Sequence, residues 1–240
     1  MAAAALFDVD GTLLDTNYWH TIAWAEAFAQ FGHAPAMARI HGAIGMGGDQ
    51  LLDHLLGEDR DRAEDDALSA AQQALYARFW PRLRAFEGAA GLLRALAARG
   101  WTVVLASSAS KRDLDVMRRA LDADDAITAV TGADDVQTSK PAPDLVRAAL
   151  DKAAARPDEA VFIGDTLWDV QAAARAGVPC IGVLSGGWAE RDLRAAGALE
   201  VHQDVGKLLD QLPDTVLGHP LATPDRLDGA GREAANRQGP

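Results

Sequence analysis

The 240-residue chain holds a single cysteine, Cys180, which excludes an internal disulfide and any cysteine-based metal cluster and makes a reducing compartment the simplest setting. Cys180 itself reads as a small buried apolar residue. Basic residues are scarce: 23 Lys and Arg stand against 35 Asp and Glu, the formal net charge is −12, and the basic residues never gather into a run. A nucleic-acid or anionic-membrane partner is therefore not expected. The opening Met1-Ala2-Ala3-Ala4-Ala5-Leu6-Phe7 lacks a basic leader. Asp8 and Asp10 cut its apolar stretch far short of the roughly 18 residues that a membrane span needs. The expectation is a cytoplasmic protein without a membrane anchor. What is abundant is core material, with 49% hydrophobic and 24% charged residues. At this length one core nears its size limit, so one large domain with a smaller inserted or appended unit is expected.

Five short apolar runs read as buried strands: Ala3 to Val9, Trp101 to Ala106, Ala126 to Val130, Ala160 to Ile163 and Val178 to Val183. Between them Gly88 to Ala98, Lys111 to Leu121, Pro143 to Ala154 and Leu167 to Ala176 have helical spacing. Apolar strands alternating with amphipathic helices predict a doubly wound α/β domain, a parallel sheet covered on both faces. The stretch from 16 to 86 breaks the alternation and reads as helix after helix: Tyr18 to Phe31, Gly48 to Leu56 and Ala63 to Leu83. Residues 1–15 and 87–212 are thus assigned to the core domain and 16–86 to a helical insert. The segment from Pro213 to Pro240 loses periodicity and is expected to be a poorly ordered tail.

In an open parallel sheet, ligands bind outside the carboxyl ends of the strands, so the residues following each strand carry the information. After the first run come Asp8, Asp10, Gly11 and Thr12, and after the second come Ser107 and Ser108. The third leads to Ser139-Lys140-Pro141, and the fourth to Gly164-Asp165-Thr166-Leu167-Trp168-Asp169. Four carboxylates, Asp8, Asp10, Asp165 and Asp169, converging on one edge repel one another unless a hard, oxygen-preferring cation such as Mg²⁺ joins them. Magnesium is the implied cofactor. An octahedral Mg²⁺ takes one or two carboxylates and leaves positions for water and phosphate. Together with Lys140 it would supply the local positive field that the acidic chain lacks.

The stretches from Phe7 to Thr16, Ser107, Ser139 to Asp144 and Gly164 to Asp169 resemble, in order, the four motifs of the haloacid dehalogenase superfamily. The likeness covers about residues 1 to 212. The insert resembles the α-helical cap of the subgroup that includes phosphoglycolate phosphatase and β-phosphoglucomutase. The resemblance implies a Rossmann-like core and Mg²⁺-dependent phosphoryl transfer from a small phosphorylated metabolite through an aspartyl phosphate. It implies Asp8 as nucleophile, Asp10 as general acid and base, and Ser107 and Lys140 as phosphoryl ligands. Asp8, the Asp10 carbonyl and Asp165 would hold the metal, with Asp169 supporting. Thr12 and Ser108 would add hydrogen-bond donors to the phosphoryl group.

Within that superfamily, Asp10 argues against carbon–halogen cleavage, because a leaving halide needs no acid. Phosphonate hydrolases of the family use a cap lysine, and the insert contains none. A β-phosphoglucomutase-like mutase is the alternative. It would need a cation for a second phosphate in the Gly45-Met46-Gly47-Gly48-Asp49 loop, where Gly48 stands in place of the mutases' arginine. A non-catalytic phosphate binder is the third reading, disfavoured because Asp8 and Asp10 are both present. His20 is expected near the hinge, contacting substrate or Asp10, and Gly45 and Gly47 in a loop that dips into the site. Arg39, His41, Arg78 and Arg82 are candidates for a substrate carboxylate or second phosphate. Trp24, Phe28, Phe31, Leu51, Leu52 and Leu55 are expected as the insert's own core. A monomer or homodimer is anticipated.

Overall fold

The computed structural model describes residues 3–218. Strand β1 (Ala4–Phe7) is a four-residue apolar run buried throughout, as the middle strand of a two-sided sheet must be. Its alternation divides the core. Ala5 and Phe7 face one layer with Val103 and Leu105; Ala4 and Leu6 face the other with Val104 and Phe162. Strands β2 (Thr102–Ala106), β3 (Ala129–Thr131), β4 (Ala160–Gly164), β5 (Cys180–Val183) and β6 (Glu200–His202) complete an all-parallel sheet in the order β3-β2-β1-β4-β5-β6. Phe7 is level with Leu105 on one side and Ile163 on the other, so three strand ends finish together. This is the doubly wound order, whose connections reverse direction at β1 and open a crevice there.

The chain leaves β1 into an all-helical insert: α1 (Asn17–Gln30), α2 (Met37–Ala43), α3 (Gly48–Leu56) and α4 (Asp65–Tyr76), extended by a 3₁₀ turn over Ala77–Arg82. Trp24, Phe28, Ile40, Leu51, Leu52, Leu55 and Leu68 form a separate apolar cluster there, with Phe31 packed against it. The core helices are α5 (Ala89–Ala98), α6 (Lys111–Leu121), α7 (Asp144–Ala153), α8 (Leu167–Ala176), α9 (Glu190–Ala196) and α10 (Val205–Asp210). Among the described residues no helix is long and apolar enough to cross a membrane.

The structure differs from expectation in several places. The strand expected from Ala126 begins only at Ala129, because Ala123 to Ile127 turn beneath it. The helix expected through Leu83 tightens after Tyr76 into a 3₁₀ turn that contains Pro81, which has no amide hydrogen for an α-helical bond. The tail does not start at Pro213. Leu212–Asp214 forms a 3₁₀ turn, Leu217 is fully buried and Val216 packs on the larger core cluster, so apolar burial holds the chain to residue 218. The rest of the expected tail, 219–240, lies outside the described residues.

Candidate active site

The turn after β1 sets the geometry. Gly11 has φ +75, and a Cβ there would collide with Asn17 and Asp165, so glycine is required both by the backbone and by space. The tight turn sends Asp8 and Asp10 in different directions. Lys140 is 1% exposed, and its Nζ donates to Asp8 Oδ1 at 2.6 Å and to Asp169 Oδ1 at 2.7 Å. Thr166 caps α8: its hydroxyl accepts from Asp169 N at 3.2 Å, and Asp169 Oδ2 accepts from Thr166 N at 3.0 Å. The cap therefore fixes the carboxylate that holds the lysine. Asp165 Oδ1 accepts from Thr12 Oγ1 at 2.9 Å and Oδ2 from Asn17 Nδ2 at 2.8 Å.

Asp8, Asp165 and Asp169 are all buried and bring one carboxylate oxygen each to within 4.8 Å of one another, with Lys140 the lysine among them. Burial pushes the Asp8 carboxyl up to about 7, with Asp169 and Asp10 adding to the rise and Lys140 opposing it. Burial, with Asp169 and Asp8, likewise holds Asp165 well above the usual carboxylate range. Burial works against the Lys140 ammonium, but Asp169 and Asp8 outweigh it and raise its pKa. Three buried carboxylates facing one ammonium are short of positive charge, and an all-oxygen donor set of this kind suits a hard divalent cation.

Asp10 stands apart from that cluster. Its Oδ1 accepts from Thr16 Oγ1 at 2.6 Å and lies 3.0 Å from His20 Nε2, while Ser107 Oγ is 3.5 Å from Oδ2. Burial would raise Asp10, but His20 and Thr16 outweigh it and bring its pKa below the ordinary value. Gln72 Nε2 lies 3.3 Å from His20 Nδ1, and the Tyr76 ring stacks on the imidazole at 3.8 Å. These two contacts hold the ring with Nε2 facing Asp10. The insert thus reaches the sheet edge through His20.

A cavity of about 340 Å³ lies between the insert and the sheet edge, and its lining includes Asp8, Asp10, His20, Gly45, Gly47, Ser108 and Lys140. Gly47 N donates to Ser139 Oγ at 3.0 Å, and Asp49 takes the Ser139 hydroxyl, so the glycine loop rests on the segment that carries Lys140. Two expected donors are elsewhere. Thr12 is fully buried behind the cavity, its hydroxyl bridging Asp8 (3.2 Å) and Asp165 rather than facing a substrate. Ser107 is also fully buried, and its Oγ accepts from Ala109 N at 3.1 Å. None of the four cationic candidates of the insert lines the cavity. Arg39 turns to the carbonyls of His54 and Leu55, Arg78 pairs with Glu26, Arg82 lies over Trp19, and His41 stacks on Tyr18. Asn17, Gln72 and Tyr76 were missed by sequence reasoning. Asn17, beside Thr16, carried the only local signal, because the partners of all three are set by tertiary packing.

The profile of the haloacid dehalogenase-like hydrolases matches residues 2–177. The chain belongs to that family. This haloacid dehalogenase-like hydrolase is 32% identical over 236 residues to a phosphoglycolate phosphatase of Rhodospirillum rubrum, covering 95% of each chain. It is 32% identical over 191 residues to a 5′-nucleotidase of Pseudomonas aeruginosa, covering 79% of this chain and 86% of that protein. Among solved structures, a hydrolase from Pseudomonas syringae superposes with a TM-score of 0.84 at 36% identity, covering 88% of this chain and 98% of that one. A putative β-phosphoglucomutase from Bacteroides vulgatus, at 24% identity and TM-score 0.80, shares the fold. The hydrolase is an enzyme whose curated relatives include phosphatases that match nearly its whole length.

Proposed function

We propose that this hydrolase is a divalent-metal-dependent phosphatase of small phosphomonoesters, with Mg²⁺ the metal its donor set suits. The observation that carries the reading is the pairing of Asp8 and Asp10. Two carboxylates two residues apart face one cavity, one bound to a buried lysine and grouped with two further carboxylates, the other held by His20 and Thr16. The lysine, and a cation bound beside it, would keep Asp8 ionised as a nucleophile, while Asp10, outside that cluster, is free to exchange a proton. Asp8, the Asp10 carbonyl and Asp165 would hold the cation, with Asp169 supporting through Lys140. When bound, the cation neutralises phosphoryl oxygens and the carboxylate cluster.

In the proposed reaction an Asp8 carboxylate oxygen attacks phosphorus in line, the ester P–O bond breaks, and the leaving alkoxide takes a proton from Asp10. Lys140, at the floor of the cavity, balances charge on the phosphoryl oxygens, while Ser107, buried off the cavity, holds the neighbouring turn through Ala109 N. Water then attacks the aspartyl phosphate and gives its proton back to Asp10, and the bond to Asp8 breaks to release inorganic phosphate. His20, donating to Asp10 from the insert, favours the carboxylate that takes the water's proton in the second step. The mutase alternative asks for a cation in the glycine loop, whereas Gly48 lies there with Trp24 and Ser69 as its neighbours.

The test is phosphate release from a panel of small phosphomonoesters with Mg²⁺ and with EDTA. Metal-dependent release is the expected result, and Asp8→Asn should lower it by more than about a thousandfold. Full turnover by Asp8→Asn would remove Asp8 as nucleophile. Isomerisation of β-glucose 1-phosphate without release would favour the mutase.

A further inference from the structure

The floor of the cavity is taken up by Asp8, Asp10 and Lys140; the walls, where a leaving group would lie, have a chemistry of their own. Trp24, Ser69, Gln72, Gln73 and Tyr76 of the insert face the core segment from Ser108 to Asp113. Among the described lining residues Lys140 is the one lysine or arginine, and Asp8 and Asp169 hold it at the floor. Arg112, near in sequence, lies over the Trp80 ring instead. The walls carry acid: Asp49, Asp113 and Asp134 all line the cavity. Asp113 is fixed there by Trp80 Nε1 at 3.1 Å and Ser110 Oγ at 2.6 Å.

Two hydroxyls in these walls are buried and have no hydrogen-bond partner, Tyr76 OH and Ser108 Oγ. Tyr76 is 1% exposed, its ring is clamped on His20, and its hydroxyl feels both the Asp10 and the Asp113 carboxylates, each of which also lines the cavity. A buried hydroxyl left unpaired is costly, so its place beside the cavity calls for a ligand group. A ligand hydroxyl satisfies all parties at once, accepting from Tyr76 or Ser108 and donating to a wall carboxylate. A ligand carboxylate or second phosphate would meet like charge with no cation to answer it.

We infer that the ester's leaving group bears hydroxyls and no negative charge, as a polyol or sugar does, that Tyr76 and Ser108 are its specificity contacts, and that carboxylated and doubly phosphorylated esters are disfavoured. The inference rests on the phosphatase reading and adds the substrate class to it.

The test measures kcat/KM with Mg²⁺ for glycerol 1-phosphate, glucose 6-phosphate, 2-phosphoglycolate and p-nitrophenyl phosphate. At least one of the two hydroxylated esters should exceed 2-phosphoglycolate by tenfold or more. Equal or better turnover of 2-phosphoglycolate, with p-nitrophenyl phosphate hydrolysed, overturns the substrate class and leaves the phosphatase intact. No release from any ester brings down both. Tyr76→Phe should lower the ratio of hydroxylated ester to p-nitrophenyl phosphate about fivefold; an unchanged ratio removes Tyr76 as a contact. Gln73→Arg, at an exposed position, should raise 2-phosphoglycolate relative to glycerol 1-phosphate, and failure to do so argues against charge as the discriminator.

Discussion

Thr12 shows how a residue behind the cavity can govern what happens in it. Its hydroxyl lies 2.9 Å from Asp165 Oδ1 and 3.2 Å from Asp8 Oδ2, joining the two carboxylates assigned to the cation. Thr12→Val keeps the shape and removes the donor, leaving Asp165 held from one side by Asn17 alone. Groups that orient metal ligands are typically worth about 10- to 100-fold in metal affinity. Mg²⁺ binding to Thr12→Val, followed by calorimetry, should weaken by that order while the protein stays folded. Wild-type affinity in the variant would mean that Asp165 is oriented by other groups. Asp8, Asp10 and Asp165 were legible because each follows a buried strand, where the fold itself directs side chains to a ligand. Tyr76 was not legible: one of two tyrosines in the chain and the last residue of α4, it gains meaning only through the His20 ring beneath it.

At the level of elements, the strands around β1 and helices α3, α6 and α8 could be read from the sequence because their apolar spacing is uninterrupted. The short pieces could not. Helix α2 has seven residues and β6 three, too few for a period to repeat. One element carries a clear energetic prediction. Thr166 caps α8 and positions Asp169, so Thr166→Ala removes an N-cap worth about 1 kcal/mol and frees the carboxylate that holds Lys140. The melting temperature should fall by a few degrees, and activity by a larger factor than that loss alone would account for. Equal activity would show that Asp169 is held without its cap.

A second element-scale prediction concerns pH. In the insert Arg60 reaches both Asp53 and Asp65, and hydrogen bonding from Arg60 holds the Asp53 carboxyl below its usual range. A carboxylate with a lowered folded pKa contributes stability above its unfolded pKa and loses it as pH falls through the folded one. Acid melts of the wild type should therefore show a loss below about pH 4 that is smaller in Arg60→Ala. Identical acid profiles would show that this ion pair adds nothing to stability.

The whole molecule presents an apparent conflict, an acidic chain of net charge −12 whose proposed substrate is an anion. Attraction is confined to the floor of the cavity, where Lys140 and the cation act within a few ångströms. Approach is governed by the larger field, which repels. At low ionic strength that repulsion extends over about 30 Å, and at 0.1 M salt over about 10 Å. Enzymes that steer a substrate by opposite charge lose kcat/KM as salt rises. This hydrolase should do the reverse. With Mg²⁺ held saturating, kcat/KM for a phosphomonoester should rise, about twofold, as KCl increases from 0.01 to 0.15 M, with kcat nearly constant because the buried floor is little screened. A steep fall would mean that a basic surface guides the substrate, and the cavity's acidic walls would then be a poor guide to how substrate arrives.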